Sequence, residues 1–541
     1  MKVSSVYQVF ASTAGRSADQ PFLHIPATAA KAYASGPVDL AYGEALARID
    51  ACAAQYAARD FGHPLRAALV LDNRAEFFIH WLALNSLGCS VIPVSRDMQA
   101  EEIAYFLEHG EAAVVIALPE AVPELAPVQA MLEREVPVVD CERLDQLPAV
   151  TGRSDEAPAE DTECALLYTS GSTGKPKACI LSNEYFLFAG QWYNEVGGLA
   201  AIEQGVERLL TPLPLTHMNA MAVSTMAMIQ SGGCIIQLDR FHPRSWWQSV
   251  RDSGATIVHY LGVLPAILLE LPETPQDNVG GQVKFGFGAG VNPKHHARFE
   301  ARFGFPLLEA WAMTESGVGG SIIANTEPRH VGTCCFGKAP DYLEVQLVDE
   351  HKQPVAPGEE GELRVRAKGD NPARGFFSGY LKNAEATAEA WQDGWLNTGD
   401  VVREGPDGSL HFVDRRKNVI RRSGENISAL EVEAALLTHP ALAEVIVTAV
   451  PDELRGDEVA ACAVLADGAP GDAQLAAALV AHCMDQLAYY KAPGYVLFCE
   501  SLPRTASNKP RRGDVKTLAR SRVAAGECID TRELKKRRTA S

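Results

Sequence analysis

No run of apolar residues in this 541-residue chain approaches the length that a bilayer-spanning helix needs, and the opening MKVSSVYQVFASTAGRSADQ lacks the apolar core of a secretory signal. Positive charge is also scarce. Lys+Arg number 49 against 68 Asp+Glu, and the net charge of −19 argues against general binding to nucleic acid or to anionic lipid. A polyanion must then be held by a local cationic site. The twelve cysteines are scattered, with one adjacent pair at Cys334 and Cys335 and no C-x-x-C spacing, so no zinc site is indicated and most thiols are expected to lie buried in a reducing compartment. These absences lead to the expectation of a soluble, cytoplasmic protein with no membrane span and no nucleic-acid partner.

What is present starts with Tyr168-Thr-Ser-Gly-Ser-Thr-Gly-Lys-Pro-Lys177. Gly171 and Gly174 let backbone approach an anion closely, Ser170, Ser172 and Thr173 add hydroxyl donors, and Lys175 and Lys177 add charge. Such a loop can wrap a polyphosphate. Only two residues separate the glycines, and Pro176 stands where a P-loop NTPase carries its magnesium-binding hydroxyl, so an ordinary P-loop is disfavoured. An exposed polar turn is the plain alternative for this segment taken alone.

Short apolar runs alternate with amphipathic segments, the pattern of an α/β body. Ala67–Leu71 reads as a buried strand, Phe77, Phe78, Trp81 and Leu82 recur at helical spacing, and Val91–Val94 follows Gly88 as a second strand, together one βαβ unit. Residues 118–163, rich in Pro, Ala and acid, read as a variable crossover into the strand Cys164–Tyr168, so that the phosphate loop follows a strand. Gly-rich short-strand text over 355–415 suggests a β subdomain. Beyond it a compact α+β pattern resumes, with a helix near 428–438 and a strand near 444–450, and the domain boundary falls at 414–418. The tail from about Leu518 is Arg/Lys-rich and weakly apolar, which predicts a frayed end.

Downstream of the loop stand, in order, Pro212-Leu-Pro-Leu-Thr-His-Met-Asn219, Gly286-Phe-Gly-Ala-Gly290, Glu309-Ala-Trp-Ala-Met-Thr-Glu315, Trp395-Leu-Asn-Thr-Gly-Asp400, Asp414-Arg-Arg-Lys-Asn-Val-Ile420, Ser423-Gly-Glu-Asn-Ile427 and Pro503-Arg-Thr-Ala-Ser-Asn-Lys509. With these motifs the chain, over about residues 40 to 516, resembles the adenylate-forming superfamily of acyl-CoA synthetases, firefly luciferases and peptide-synthetase adenylation domains. The resemblance implies a large N-terminal AMP-binding α/β body, residues 1–415, with several subdomains, and a small mobile α+β C-terminal domain, residues 416–541, carrying a catalytic lysine. The activity it implies is an ATP-dependent acid:CoA ligase: a carboxylate attacks the α-phosphorus of MgATP, and a thiol then takes the acyl group from the adenylate. ATP, Mg2+, coenzyme A and a small carboxylic acid are the implied partners, with a second copy of the chain as a further candidate.

The same resemblance distributes the roles. Thr169 to Lys177 would cradle the β- and γ-phosphates. Thr314 would touch the α-phosphate and Glu315 would hold magnesium through a hard carboxylate oxygen. Trp311 and the backbone of Gly288, Ala289 and Gly290 would line the adenine slot. Asp400 would accept the ribose hydroxyls, with Arg415 supporting sugar or phosphate. Lys509 would bridge the substrate carboxylate and α-phosphate as charge builds. Rotation about Lys417 would then withdraw Lys509 and bring in Ser423-Gly424-Glu425, whose glycine lets pantetheine pass. Tyr490 and Lys491 are placed among the cofactor-binding residues, and His217 where acyl pocket and thiol tunnel meet. For Asp400 a turn-capping role, and for His217 a core histidine, are the plain alternatives.

The acyl wall implied by resemblance comprises Trp192, His217, Met218, Met221, Tyr260, Gly286 and Gly288. It is mostly apolar, which points to a medium, branched or cyclic acid rather than acetate. No acid lies in Met218–Thr225 to hold an amino group, and only 32 residues follow Lys509, too few for a carrier domain; free CoA is the expected acceptor. Likeness to the carnitine–CoA ligase branch is loose and names no substrate. Two other readings stay in view: a stand-alone enzyme that loads a carrier protein, and a catalytically silent acyl- or nucleotide-binding relative. Ala178, Asn183, Ala220 and Ala312 depart from common family text, which bears on the acyl site more than on adenylation.

Overall fold

The computed structural model describes residues 4–154, 156–169, 175–275, 277–349, 351–415, 419–466, 469, 471–503 and 512–536. Contacts divide the chain into two units. The first comprises 1–96, 104–167 and 178–414, and the second 97–103, 168–177 and 415–541.

The first unit contains three sheets. In the seven-stranded sheet, Arg66–Val70 and Ser90–Pro93 run parallel with Ala68 opposite Ile92, joined through the helix Ala75–Ser86, which is the βαβ unit expected from the sequence. That helix is buried nearly all round, from Ala75 through Asn85, so it lies under layers on more than one side rather than at the surface. The crossover over 118–163 is less irregular than its composition suggested. Val138–Asp140 forms the edge strand of this sheet, parallel to Val114–Ala117. Three residues between prolines and acids give no periodicity to read.

The eight-stranded sheet sets Ile257–His259, Phe285–Gly288 and Leu307–Trp311 side by side and parallel, all buried. Chains leaving the carboxyl ends of parallel strands are where α/β proteins build sites, and the segments Tyr260–Gly262, Ala289–Val291 and Ala312–Ser316 do leave there. The third sheet is antiparallel in its core, Leu343–Val348, Glu360–Ala367, Trp395–Glu404 and Leu410–Arg415, with Cys335–Gly337 added at one edge. The β subdomain thus begins about twenty residues earlier than its Gly-rich text.

The second unit packs the helices Ala429–Leu437 and Ala473–Gln486 on a sheet dominated by the long hairpin Leu442–Asp452 and Gly456–Leu465. The tail contradicts the expected fraying. Arg512–Ala524 is helical, with Val515 and Ala519 buried, and Ile529–Asp530 pairs with the strand Tyr495–Cys499. Among the described residues no helix is long and apolar enough to cross a membrane. All twelve cysteines are free thiols and nine are buried.

One ion cluster links the helix Pro293–Phe303 to the strand Leu307–Trp311. Glu300 accepts two bonds from Arg329, at 2.7 and 2.9 Å, and others from the Leu307 amide and His296. Burial works against the Glu300 charge, yet these donors outweigh it and hold the carboxyl down at about 2. The folded value lies below the unfolded one, so the stabilisation is full above about pH 4.5 and is lost as pH falls toward 2. Glu300→Gln should lower stability at pH 7 by about 2 kcal/mol after allowance for solvent screening. In thermal unfolding the gap from the unaltered protein should narrow below pH 4.5; a gap constant with pH would detach Glu300 from this role.

Candidate active site

The strand Phe285–Gly288 leads into Ala289-Gly290, and its glycine is required by contact. A Cβ on Gly288 would lie 2.2 Å from the Tyr260 carbonyl and 2.7 Å from its ring. The following backbone is held by a residue whose role sequence reasoning missed. Glu309 accepts from the amides of Gly290 and Val291, both at 2.9 Å, and from the Tyr260 hydroxyl at 3.2 Å. Burial pushes its carboxyl above the usual range, against these three donors. The signal was available: one acid stands in the otherwise apolar, fully buried run Leu307–Trp311. Tyr260, placed by resemblance on the acyl wall, thus spends its hydroxyl on the Glu309 cluster.

Trp311 and Asp400, named separately in the sequence, meet. The indole Nε1–H donates to Asp400 Oδ2 at 2.9 Å, and both side chains are buried. Trp311 therefore orients the carboxylate, beyond any stacking on a base. Thr314 and Glu315 lie in the turn after Trp311, and two phenols hold them. Tyr185 donates to the Thr314 carbonyl at 3.1 Å, and Tyr380 donates to Glu315 Oε1 at 2.7 Å. Burial first, and then the Glu315 charge, push the Tyr380 phenol far above its ordinary range, so it stays a neutral donor. Tyr380 carried no sequence signal, because it reaches Glu315 from 65 positions away.

On the apolar side, Trp192 sits on the helix Asn183–Glu195 with its ring edge-on to Phe287, centroids 6.1 Å apart. Tyr185 also donates to the sulfur of Met218 at 3.6 Å, and Met221 is fully buried. His217 precedes a π-helical turn, Asn219–Ser224, its carbonyl accepting from the Met221 amide at 3.0 Å. Beneath that turn lies His259, which burial holds down at about 3 and hence neutral. Its Nε2 accepts from Tyr193, so Nδ1–H faces Asn219 Oδ1 at 2.7 Å and Ser224 Oγ at 2.9 Å. Asn183, one of the departures from family text, is away from this wall: it bonds Val6, Asn85 and Ala159 at the start of its helix.

Thr169 ends one strand of the seven-stranded sheet and Lys177 opens its neighbour, with Lys175 exposed between them. Ser170 to Gly174, the side chain of Arg415, Lys417 and Lys509 lie outside the described residues. In the second unit, Ser423 and Gly424 both adopt left-handed backbone, φ 52° and 88°. Tyr490 packs against the apolar core of that unit. Lys491 is in an ion triad of the same unit, its ammonium 2.5 Å from Glu102 and 2.8 Å from Glu431. Burial opposes its charge, but the two carboxylates win and hold it above its ordinary value.

A buried carboxylate fixed by an indole, a second fixed by a phenol, and a crowded glycine turn held by Glu309 thus stand at and beyond the carboxyl ends of neighbouring strands. The model of the AMP-binding enzyme family matches residues 12–381, and that of the AMP-binding enzyme C-terminal domain matches 431–509. The sulfoacetate–CoA ligase of Cupriavidus necator is 31% identical over 470 residues, covering 84% of this chain and 88% of that protein. A crotonobetaine/carnitine–CoA ligase of Escherichia coli is 27% identical, covering 83% and 88%. Among solved structures, an o-succinylbenzoate CoA synthetase from Bacillus subtilis bound with a product analogue superposes with a TM-score of 0.80 at 24% identity, covering 94% of this chain and 98% of that one. A malonyl-CoA ligase with methylmalonyl-CoA and AMP bound does so at 0.74 and 26%, covering 90% and 97%. The chain belongs to the AMP-binding enzyme family, in its acid:CoA ligase branch, and is an AMP-forming ligase that makes carbon–sulfur bonds from an acid, ATP and CoA.

Enzymes of this kind use Mg2+ with ATP. Among the described residues no three His, Cys, Asp or Glu are grouped to hold a metal, and the Glu315 carboxylate and Thr314 offer hard oxygen. That donor set fits Mg2+, which keeps water and substrate phosphates as ligands and takes only one or two carboxylates from protein. When bound, it would offset phosphate charge.

Trp311→Phe keeps an aromatic ring and deletes only the N–H that orients Asp400. Removing a hydrogen bond to a charged group costs about 1.5–3 kcal/mol, so ATP should bind at least tenfold more weakly in equilibrium titration. Unchanged ATP affinity would show that Asp400 does not need this donor or does not hold the nucleotide.

Proposed function

We propose that the enzyme activates a monocarboxylic acid with a compact apolar body, and that Lys509, Thr314, Glu315, Asp400 and Arg415 serve its adenylation half-reaction. Support for the acid class comes from one observation: Trp192 stands edge-on to Phe287 of the strand Phe285–Gly288, an aromatic wall in the region that the resemblance gives to the acyl group. A second carboxylate buried against such a wall would cost several kcal/mol without a cation beside it.

In the first half-reaction the carboxylate oxygen attacks the α-phosphorus and pyrophosphate leaves. Asp400, held by Trp311, would accept the ribose hydroxyls and set the register of the α-phosphate. Lys509 would neutralise charge as it builds between the reacting oxygens. In the second, the CoA thiol adds to the acyl carbonyl and AMP leaves with the carboxylate oxygen it gained. The Ser423–Gly424 turn would guide the pantetheine arm, and His217, at the head of the π-helical turn, would stand by the entering sulfur. A cytoplasmic location suits ATP, CoA and twelve free thiols.

The relatives' names favour a second reading. Sulfoacetate carries a second anionic group, and its ligase in Cupriavidus necator is 31% identical to this chain. The two readings separate in a kinetic panel of apolar monocarboxylates, dicarboxylates and sulfonated acids. The panel follows pyrophosphate release with and without CoA and takes the mass of each product. Apolar monocarboxylates should lead in kcat/KM, and Trp192→Ala should move the optimum toward bulkier acids. A preference for doubly anionic acids, or an optimum indifferent to Trp192→Ala, would overturn the proposed acid class.

A further inference from the structure

The last described residues close on a carboxylate in the middle of the second unit. Thr531, buried after the strand Ile529–Asp530, donates its amide to the Gly494 carbonyl at 2.9 Å and its hydroxyl to the Pro493 carbonyl at 2.8 Å. Lys535 follows with its side chain fully buried, and its ammonium donates to Glu458 Oε1 at 2.6 Å. Glu458 is equally buried. It also accepts from its neighbouring Val459 amide at 2.8 Å and, on both oxygens, from Arg422 Nε at 2.8 and 2.9 Å. Space for this carboxylate exists because position 494 is glycine: a Cβ there would lie 2.4 Å from Glu458 Cδ.

Arg422 is where the cluster reaches the Ser423–Gly424 turn. It ends the strand Val419–Arg422 and pairs with Glu425, leaving Ser423 and Gly424 as a two-residue turn with both φ angles positive. That is the hairpin turn whose twist matches its strands. Arg422 Nη2 makes no hydrogen bond among the described residues, so its guanidinium is anchored through Nε on Glu458. One carboxylate therefore ties Lys535 to the base of the turn. Burial outweighs the Glu458 carboxylate and, with the Arg422 charge, holds the Lys535 ammonium down at about 8, so the cluster keeps its charges out of water.

We propose that Lys535 is a positioning residue for thiol transfer: it fixes Glu458, and Glu458 fixes Arg422 at the base of the Ser423–Gly424 turn that guides the pantetheine arm. The proposal rests on the reading of that turn as the CoA guide. With Lys535 absent, Glu458 keeps Arg422 and the Val459 amide but loses one of its charged donors, and the turn shifts against the thiol path while adenylation is untouched.

The test uses the full chain and its two half-reactions: ATP–pyrophosphate exchange without CoA, and thioester formation over a range of CoA. Loss of one buried charge-assisted bond in Lys535→Met should raise the KM for CoA about tenfold and leave exchange within about twofold. In a Glu458→Gln background Lys535→Met should add little more, because the path runs through Glu458. Gly424→Leu reports on the underlying reading and should also raise the KM for CoA. If Gly424→Leu does so and Lys535→Met does not, the tail has no part in positioning the turn. If neither variant alters CoA kinetics, the turn is not the CoA guide and the proposal falls with that reading. Equal losses in exchange and thioester formation for Lys535→Met would make the lysine a general structural support and overturn it as well.

Discussion

Taking a carboxylate out of water costs on the order of several kcal/mol unless donors meet it, and much of this protein is arranged around meeting that cost. Glu309 is surrounded by two amides and a phenol, Asp400 by an indole, Glu315 by a phenol, Glu458 by an ammonium, a guanidinium and an amide. Each set includes a donor from a distant segment of the chain, so satisfying the acid also sews those segments together. Glu309 joins the ends of neighbouring strands; Asp400 joins the antiparallel sheet to the eight-stranded one; Glu458 joins the chain's end to a hairpin. The proposed nucleotide site builds on this: acids whose positions are already fixed would receive ribose and metal without further ordering.

The same constraint explains what the sequence made legible. The βαβ unit of residues 66–93 could be read because burial on both sides writes a continuous apolar pattern over short distances. Gly288 and Gly424 stood out as glycines in motifs, and each meets a local demand, a crowded backbone in one case and a left-handed turn in the other. The partners of the acids were not legible. Tyr380 lies 65 positions from Glu315, Trp311 lies 89 from Asp400, and Lys535 lies 77 from Glu458. Periodicity carries no information at such separations. The tail misled for a related reason: its Arg/Lys-rich composition is that of a solvated end, and only the fold shows that one of those lysines finishes inside.

Departures from common family text also take on a physical sense. Asn183 is fully buried and bonds three segments near the start of the Trp192 helix, so it acts on how that helix is seated rather than on the acyl wall. Ala220 lies in the π-helical turn, its carbonyl accepting from Thr225 Oγ1 at 2.8 Å.

The central claim, that a carboxylate oxygen of the acid attacks the α-phosphorus before a thiol displaces AMP, is tested most directly by isotope transfer. With an acid labelled at both carboxylate oxygens with oxygen-18, one labelled oxygen should appear in AMP and none in pyrophosphate, with the other retained in the thioester. Label in inorganic phosphate with ADP as co-product, or label absent from AMP, would contradict the account.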